Sequence, residues 1–208
     1  MVDGLGLRER KKLRTRRALI EAALHLFEEK GYEETTVAEI AAAADISTRT
    51  FFSYFASKED VVFFDVQARI GEAVETITQR RPGETVVELL LRMAEQSLAH
   101  AVAATDLAMA LTPLRTRLIM SNPALQARAL RLLFDSQRQL AEALHRAYSE
   151  EIDLVEAAAA VGAIVGGAKL AMMACLERGD SPMQVLAAAR RATEIVIRGL
   201  QSVDAPRL

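Results

Sequence analysis

The chain has 208 residues, 51% of them apolar, which is enough to bury a core in one large or two smaller domains and too apolar for a disordered chain. Ala, Leu, Glu and Arg dominate and Trp is absent, a balance that favours helices, so the expected fold class is all-α. A net charge of −2 gives no overall attraction to nucleic acid, the single Cys175 excludes an intrachain disulfide, and a charged N-terminus is unlike an export leader, so a cytoplasmic protein is expected.

Residues 1–7 show no periodicity. From Arg8 to Arg17, seven of ten residues are basic (Arg8, Arg10, Lys11, Lys12, Arg14, Arg16 and Arg17) against one acid, Glu9. Such a run is either a solvated tail or an arm for phosphate or minor-groove contact. The first helix runs to about Lys30, with Ile20, Ala23, Leu24 and Phe27 on one face and Gly31 as its stop. Thr36 caps a short second helix ending near Ala44, and Glu39 completes a capping box. Asp45-Ile46 supplies a turn, and Ser47 caps a third helix ending near Tyr54-Phe55. Ser57 and Asp60 start a long fourth helix, whose stripe of Phe63, Val66, Ile70, Val74 and Ile77 continues until Pro82-Gly83. Five more helices are expected near 84–104, 106–120, 123–149, 152–178 and 182–202, about nine in all. Pro113 is expected to kink or split the second of these five, Asn122-Pro123 and Ser181-Pro182 are helix starts, and Gly179 is a stop.

Thr36–Lys58 carries the clearest chemistry: two short helices across a tight turn, directly after a basic segment. That arrangement holds phosphate with one element and reads base edges with another. Ser47 at the N-cap puts Thr48, Arg49 and Thr50 on the first turn of the reading helix. Arg49 is the long donor there, suited to guanine O6 and N7, while threonine methyls and hydroxyls suit thymine or phosphate. Ser53 shares the exposed face of Arg49, and Phe51 and Phe55 form the opposite, core-facing side.

The order of basic arm, TVAEIAAAADIS, TRTFFSYF and SKED closely resembles the N-terminal domain of TetR-family transcriptional regulators over about residues 10–64. The resemblance implies a three-helix helix-turn-helix head at residues 8–56 and a larger helical ligand-binding and dimerisation domain at 57–204, with the fourth helix linking them. It also implies that Thr36, Tyr54 and Lys58 contact the DNA backbone, with Arg14 and Arg17 of the arm as further candidates. The helix starts at Thr36 and Ser57 add oriented N–H groups. Two positions depart from the family pattern: Asp45 stands where Gly is usual, and Phe52 replaces the usual Tyr, leaving a ring for sugar or a thymine methyl.

Ala157–Leu176 is twenty apolar or small residues interrupted only by Lys169, about the length of a membrane span. A central Lys costs roughly 2.5–3.5 kcal/mol on the insertion scale, so a helix buried in a bundle or dimer is expected and no membrane partner. Gly162, Gly166 and Gly167 form a small-residue face, and Leu186, Ala189, Thr193, Val196 and Ile197 follow on the last helix. The resemblance implies that these two helices build the four-helix interface of a homodimer, and hence a roughly palindromic double-stranded operator. It also implies a pocket for a small-molecule effector. Met93, Met109, Met120, Phe134, Met172 and Met173 would line it, although methionine at helical spacing more commonly fills a core. Gln96, His100, Arg115, Gln137 and Lys169 are the polar candidates. PLRTRLIMSNPALQARAL resembles a subgroup associated with mycofactocin and acyl-CoA-like ligands, which would put an anion on the cationic groups and an acyl chain in the apolar interior.

The reading is a ligand-responsive repressor released from its operator by an apolar or acyl-type effector. The alternatives are an architectural DNA-binding protein that senses nothing, and an enzyme. Against catalysis, His25, His100 and His145 lie apart, Cys175 has no local His, and there is no phosphate loop, metal-ligand cluster or nucleophile elbow. No catalytic residue, metal or cofactor is expected.

Overall fold

The computed structural model describes residues 6–103 and 106–203, and their side chains outside 98–113 and 200–203. The described residues form helices α1 (Leu7–Lys30), α2 (Val37–Ala43), α3 (Thr48–Phe52), α4 (Lys58–Val62), α5 (Val66–Thr78), α6 (Val86–Ala103), α7 (Asp106–Ser121), α8 (Pro123–Ala147), α9 (Leu154–Glu177) and α10 (Pro182–Val203), and no strand. Short-range chemistry starts many of them. Thr36 and Glu39 make the full capping box of α2, Asp153 and Glu156 that of α9, and the side chains of Ser47 and Ser57 each accept an N–H three residues on. Gly31, at φ 94, ends α1 in a conformation that costs other residues strain.

The expected long fourth helix is two helices. α4 stops at Val62, residues 63–65 turn, and α5 starts at Val66 and ends at Thr78. Remote groups hold the break open. The Val62 carbonyl accepts from Arg115 Nε (2.9 Å), and the Phe64 carbonyl accepts from Arg16. Pro113 neither splits nor ends α7, which is one helix across it.

The chain divides into two compact units. The first runs to Asp65 and takes in Leu111–Arg128, the second half of α7 and the start of α8. In it α1 packs on α2 and α4, and α2 on α3. Leu19, Ile20, Ala23, Leu24, Phe27, Ile40, Phe51, Phe55, Val61 and Val62 are buried. The division thus differs from the expected boundary at 56/57: the head keeps α4 and gains a segment from far along the chain. Arg115 clamps that segment, bonding Asp65 through both carboxylate oxygens (2.8 and 3.4 Å) and lying over the Phe64 ring at 4.7 Å. Arg117 pairs with Glu28 (3.1 Å), Asn122 donates to Glu33 (2.8 Å), and Arg128 pairs with Asp60.

The second unit comprises Val66–Ala110 and Ala129–Leu208. Ile77, Leu89, Leu90, Met93, Leu140, Leu144, Tyr148, Val161, Ile164 and Ile197 are among its core side chains. A mostly buried ion pair, Glu84 with Arg92 (2.7 and 2.8 Å), ties the segment before α6 to that helix. The Tyr148 hydroxyl donates to the carbonyls of Glu84 (2.9 Å) and Thr85 (3.1 Å). α9 is long and apolar enough to cross a membrane, with mean hydropathy 1.8, and its principal packing partner is α10.

Candidate nucleic-acid interface

The turn between α2 and α3 is closed by local hydrogen bonds. Asp45 N–H donates to the Ala42 carbonyl (3.0 Å) and Ile46 N–H to that of Ala41 (2.9 Å). Asp45, which stands where the family has Gly, holds φ 54, a left-handed position that a short polar side chain tolerates. Ser47 Oγ then accepts from Thr50 N–H (3.1 Å), fixing the first turn of α3. Phe51 and Phe55 are buried with ring centroids 5.8 Å apart, so the inward face is set by two aromatics four residues apart.

With that face inside, Thr48, Arg49, Phe52 and Ser53 all stand exposed. This is one contiguous outward surface, since residues three and four apart on a helix are neighbours. Ser53 Oγ donates back to the Thr50 carbonyl (2.6 Å). Thr50 is half-buried and its hydroxyl lies 2.8 Å from Ser47 Oγ, so Ser47 and Thr50 shape the cap while the other four present chemistry outward. Tyr54 is half-buried.

The expected backbone contacts divide differently. Lys58 is not a projecting lysine: its ammonium donates to the carbonyls of Tyr32 (2.8 Å), Glu33 (3.3 Å) and Thr35 (3.3 Å) and sits 4.3 Å from the Tyr32 ring centroid. These bonds tie α4 to the loop after α1. Thr36 is exposed, but its N–H and hydroxyl both donate to Glu39 (2.9 and 2.7 Å). Lys30 pairs with the same carboxylate and, with Thr36, holds it down to about 2. The start of α2 thus carries the Glu39 carboxylate in its capping box. On α1, Arg14 is exposed, Arg17 pairs with Glu21 (2.9 Å), and Arg16 turns inward over Phe55 and Phe64.

The described ligand candidates fall in both units. Arg115 lies in the first unit, where its guanidinium bonds the Val62 carbonyl and Asp65 and lies over the Phe64 ring. Met120, also in that unit, is exposed. In the second unit Met93 is core, Gln96 is exposed and accepts from Thr76 (2.8 Å), and Phe134 is 70% exposed. Gln137, Met172 and Met173 are half-buried, Lys169 is exposed, and His100 and Met109 lie outside the described side chains. An open cleft is lined instead by Arg81, Pro82, Gly83, Glu84, Glu88, Leu91, Arg92 and Glu95, none of them a candidate.

The dimer candidates split. Ala189, Thr193 and Ile197 are buried within the chain itself, where Thr193 donates to the Ala189 carbonyl (3.0 Å). A Cβ on Gly167 would stand 3.5 Å from Val196, so that pair belongs to the seam between α9 and α10. Gly162 and Gly166 have open space where a Cβ would be, and Leu186 is half-buried. Exposed large apolar residues on these helices are Leu154, Val155, Leu170 (68%), Met183 and Ile195 (62%), which the sequence reading missed. α9 is apolar all round, so periodicity gave no phase for its outer face. Cys175 is buried, and burial, with an Asp180 hydrogen bond second, pushes its thiol up and away from reactivity.

Residues 19–63 match the family described as bacterial regulatory proteins, tetR family. The HTH-type transcriptional regulator TcmR of Streptomyces glaucescens is 38% identical over 161 residues, covering 73% of this chain and 67% of TcmR. Among solved structures, a TetR-family regulator from Mesorhizobium loti superposes with TM-score 0.60 at 19% identity, over 92% of this chain and 96% of its own. The Thermus thermophilus repressor FadR, solved with lauroyl-CoA, gives TM-score 0.51 at 21% identity, over 93% and 98%.

Proposed function

The chain belongs to the TetR family of bacterial transcriptional regulators, and we propose that it acts as a cytoplasmic homodimeric repressor whose α3 surface reads a palindromic operator and is released by an acyl-type effector. The observation that carries the DNA-reading part is the outward face of α3. Thr48, Arg49, Phe52 and Ser53 are exposed on a helix whose start, turn and inward face are all fixed by local contacts. A reading element held this way loses little freedom on binding. Arg49 takes guanine bidentately in the major groove. Arg10, Arg14 and Arg17 follow one another at i, i+4 and i+7 on α1, ahead of its first buried residue, Leu19, and track the phosphate backbone.

A second copy of the chain covers the apolar side of α9 and α10. Val155, Leu170, Met183 and Ile195, with open space beside Gly162 and Gly166, allow close helix approach, and Lys169 within α9 disfavours a bilayer as the alternative cover. Two-fold pairing sets two α3 helices on successive turns of one DNA face.

The effector class is supported by the acyl-CoA-like resemblance of residues 113–130 and by the lauroyl-CoA held by the FadR neighbour. The route from effector to DNA follows from chain continuity. α7 and α8 each begin or end inside the head unit, where Arg115, Arg117, Asn122 and Arg128 fasten them, so an effector that shifts these helices moves the head directly. The test is selection of bound duplexes from a random library by the full-length protein, followed by binding to the selected duplex with a chain-length series of acyl-CoA thioesters. An inverted repeat whose affinity falls with one thioester that also raises the melting temperature is expected. A thioester that stabilises the protein and leaves DNA affinity unchanged contradicts effector release, because linkage requires differential affinity.

A further inference from the structure

We infer that Phe52 is a specificity-determining residue that reads the 5-methyl group of a thymine in each operator half-site. The inference rests on the proposal that α3 enters the major groove, and it goes further by assigning one apolar contact to one side chain.

Phe52 is the last residue of α3 and is 57% exposed, while its neighbour Phe51 is fully buried. Its ring stands edge-on to Phe51, with centroids 5.5 Å apart and planes at 86°. That contact restrains the ring on one side in the free protein, which lowers the side-chain freedom lost on binding. The ring offers no hydrogen-bond donor or acceptor. A tyrosine here would add a hydroxyl; phenylalanine has only an apolar edge and face. Its neighbours at i−4 and i−3 on the same outward surface are Thr48 and Arg49, both exposed.

The apolar group that the major groove displays on a base edge is the thymine methyl. Arg49 and Phe52 are separated by three residues, about 4.5 Å of helix rise, against about 3.4 Å per base-pair step. The thymine therefore lies within one or two base pairs of the guanine taken by Arg49. The deoxyribose is the other apolar surface in reach, but packing on it would not distinguish sequences.

The probe is the duplex that the full-length protein enriches from a random library. Each dT of a half-site is replaced in turn by dU, which keeps the pairing edge and O4 and removes only the methyl. For the wild-type protein, one position per half-site should cost about fourfold in affinity, and both together about fifteenfold, as expected for losing one buried methyl each. The same replacement should cost Phe52→Ala nothing, and Phe52→Leu an intermediate amount. Both variants should keep a single cooperative melt within roughly 5 °C of the wild type, the loss expected for the Phe51 edge contact alone, and thereby exclude misfolding. The inference is overturned if no dU replacement weakens wild-type binding, or if its cost persists in Phe52→Ala. It is also overturned if Phe52→Ala weakens selected and unrelated duplexes equally, which would place the ring on sugar. In each of those results DNA reading by α3 stands; failure of any duplex to enrich removes that reading and this inference with it.

Discussion

The helices α3 and α9 are opposites in how their residues acquire a role. α3 has five residues, a serine cap, a left-handed Asp45 before it and two buried aromatics beneath it, so each side chain has one place to point. α9 has 24 residues of mainly Ala, Gly, Val, Leu and Met, apolar on every side, and which face meets α10 is decided by packing alone. Where short-range chemistry fixes an element, its functional side chains follow from the sequence. Where burial fixes it, the inward and outward faces cannot be told apart until the neighbours are known. The head unit itself mixes the two, because Leu111–Arg128 is held there by remote ion pairs.

The largest expected effect tests that remote hold. Arg115→Ala removes the ion pair of the mostly buried Asp65 carboxylate and frees the Val62 carbonyl, and should lower stability by about 3 kcal/mol in denaturant unfolding. Asp65→Ala should cost a similar amount, and the double variant less than the two losses added together. A cost under about 0.5 kcal/mol would show that the head is fixed by local chemistry after all.

The next effect belongs to the second unit. The Arg92 guanidinium holds the Glu84 carboxyl at about 2 against its ordinary 4.5. The folded-state value is depressed, so this stabilisation is fully present above pH 4.5 and is lost as pH falls towards 2. Glu84→Gln should remove that portion of the acid sensitivity and cost about 2 kcal/mol at pH 7, read from unfolding curves across pH. An unchanged pH profile in the variant would contradict the pairing.

Helix caps should give a smaller and more telling pair of results. Ser47→Ala and Asp153→Ala should each cost about 1 kcal/mol of stability. Ser47→Ala should also weaken operator binding, whereas Asp153→Ala should not, because only the first positions a reading helix. Equal effects on DNA binding would erase the distinction between α3 and α9. Smallest in stability, removal of residues 1–12 should leave unfolding unchanged, since the buried face of α1 begins at Leu19. It should flatten the dependence of DNA affinity on salt, because a shorter basic segment neutralises fewer phosphates and releases fewer counterions. An unchanged slope would leave the basic segment a solvated tail.

What the sequence made legible follows the same line. The caps at Thr36, Ser47 and Ser57, the Asp45 turn and the inward Phe51 and Phe55 are set within a few residues, and the structure has them all. The break at 63–65 was not legible, because Phe63, Val66, Ile70, Val74 and Ile77 keep helical spacing while the group holding the break is Arg115, some fifty positions away. The partners of Lys58 were not legible for the same reason: the three carbonyls lie over twenty residues earlier. On α10, Ala189, Thr193 and Ile197 have the spacing of an interface and are buried within their own chain, while Ile195 is exposed.

The most direct test of the account is the ratio of affinities for the selected duplex and an unrelated one, measured for wild type and Arg49→Ala at one salt concentration. The wild-type ratio should be about 10³ or more, as for specific DNA readers. Arg49→Ala should lower it by roughly a hundredfold over two half-sites while affinity for the unrelated duplex changes little. A ratio that Arg49→Ala leaves intact, or a loss shared equally by both duplexes, would contradict base reading by α3.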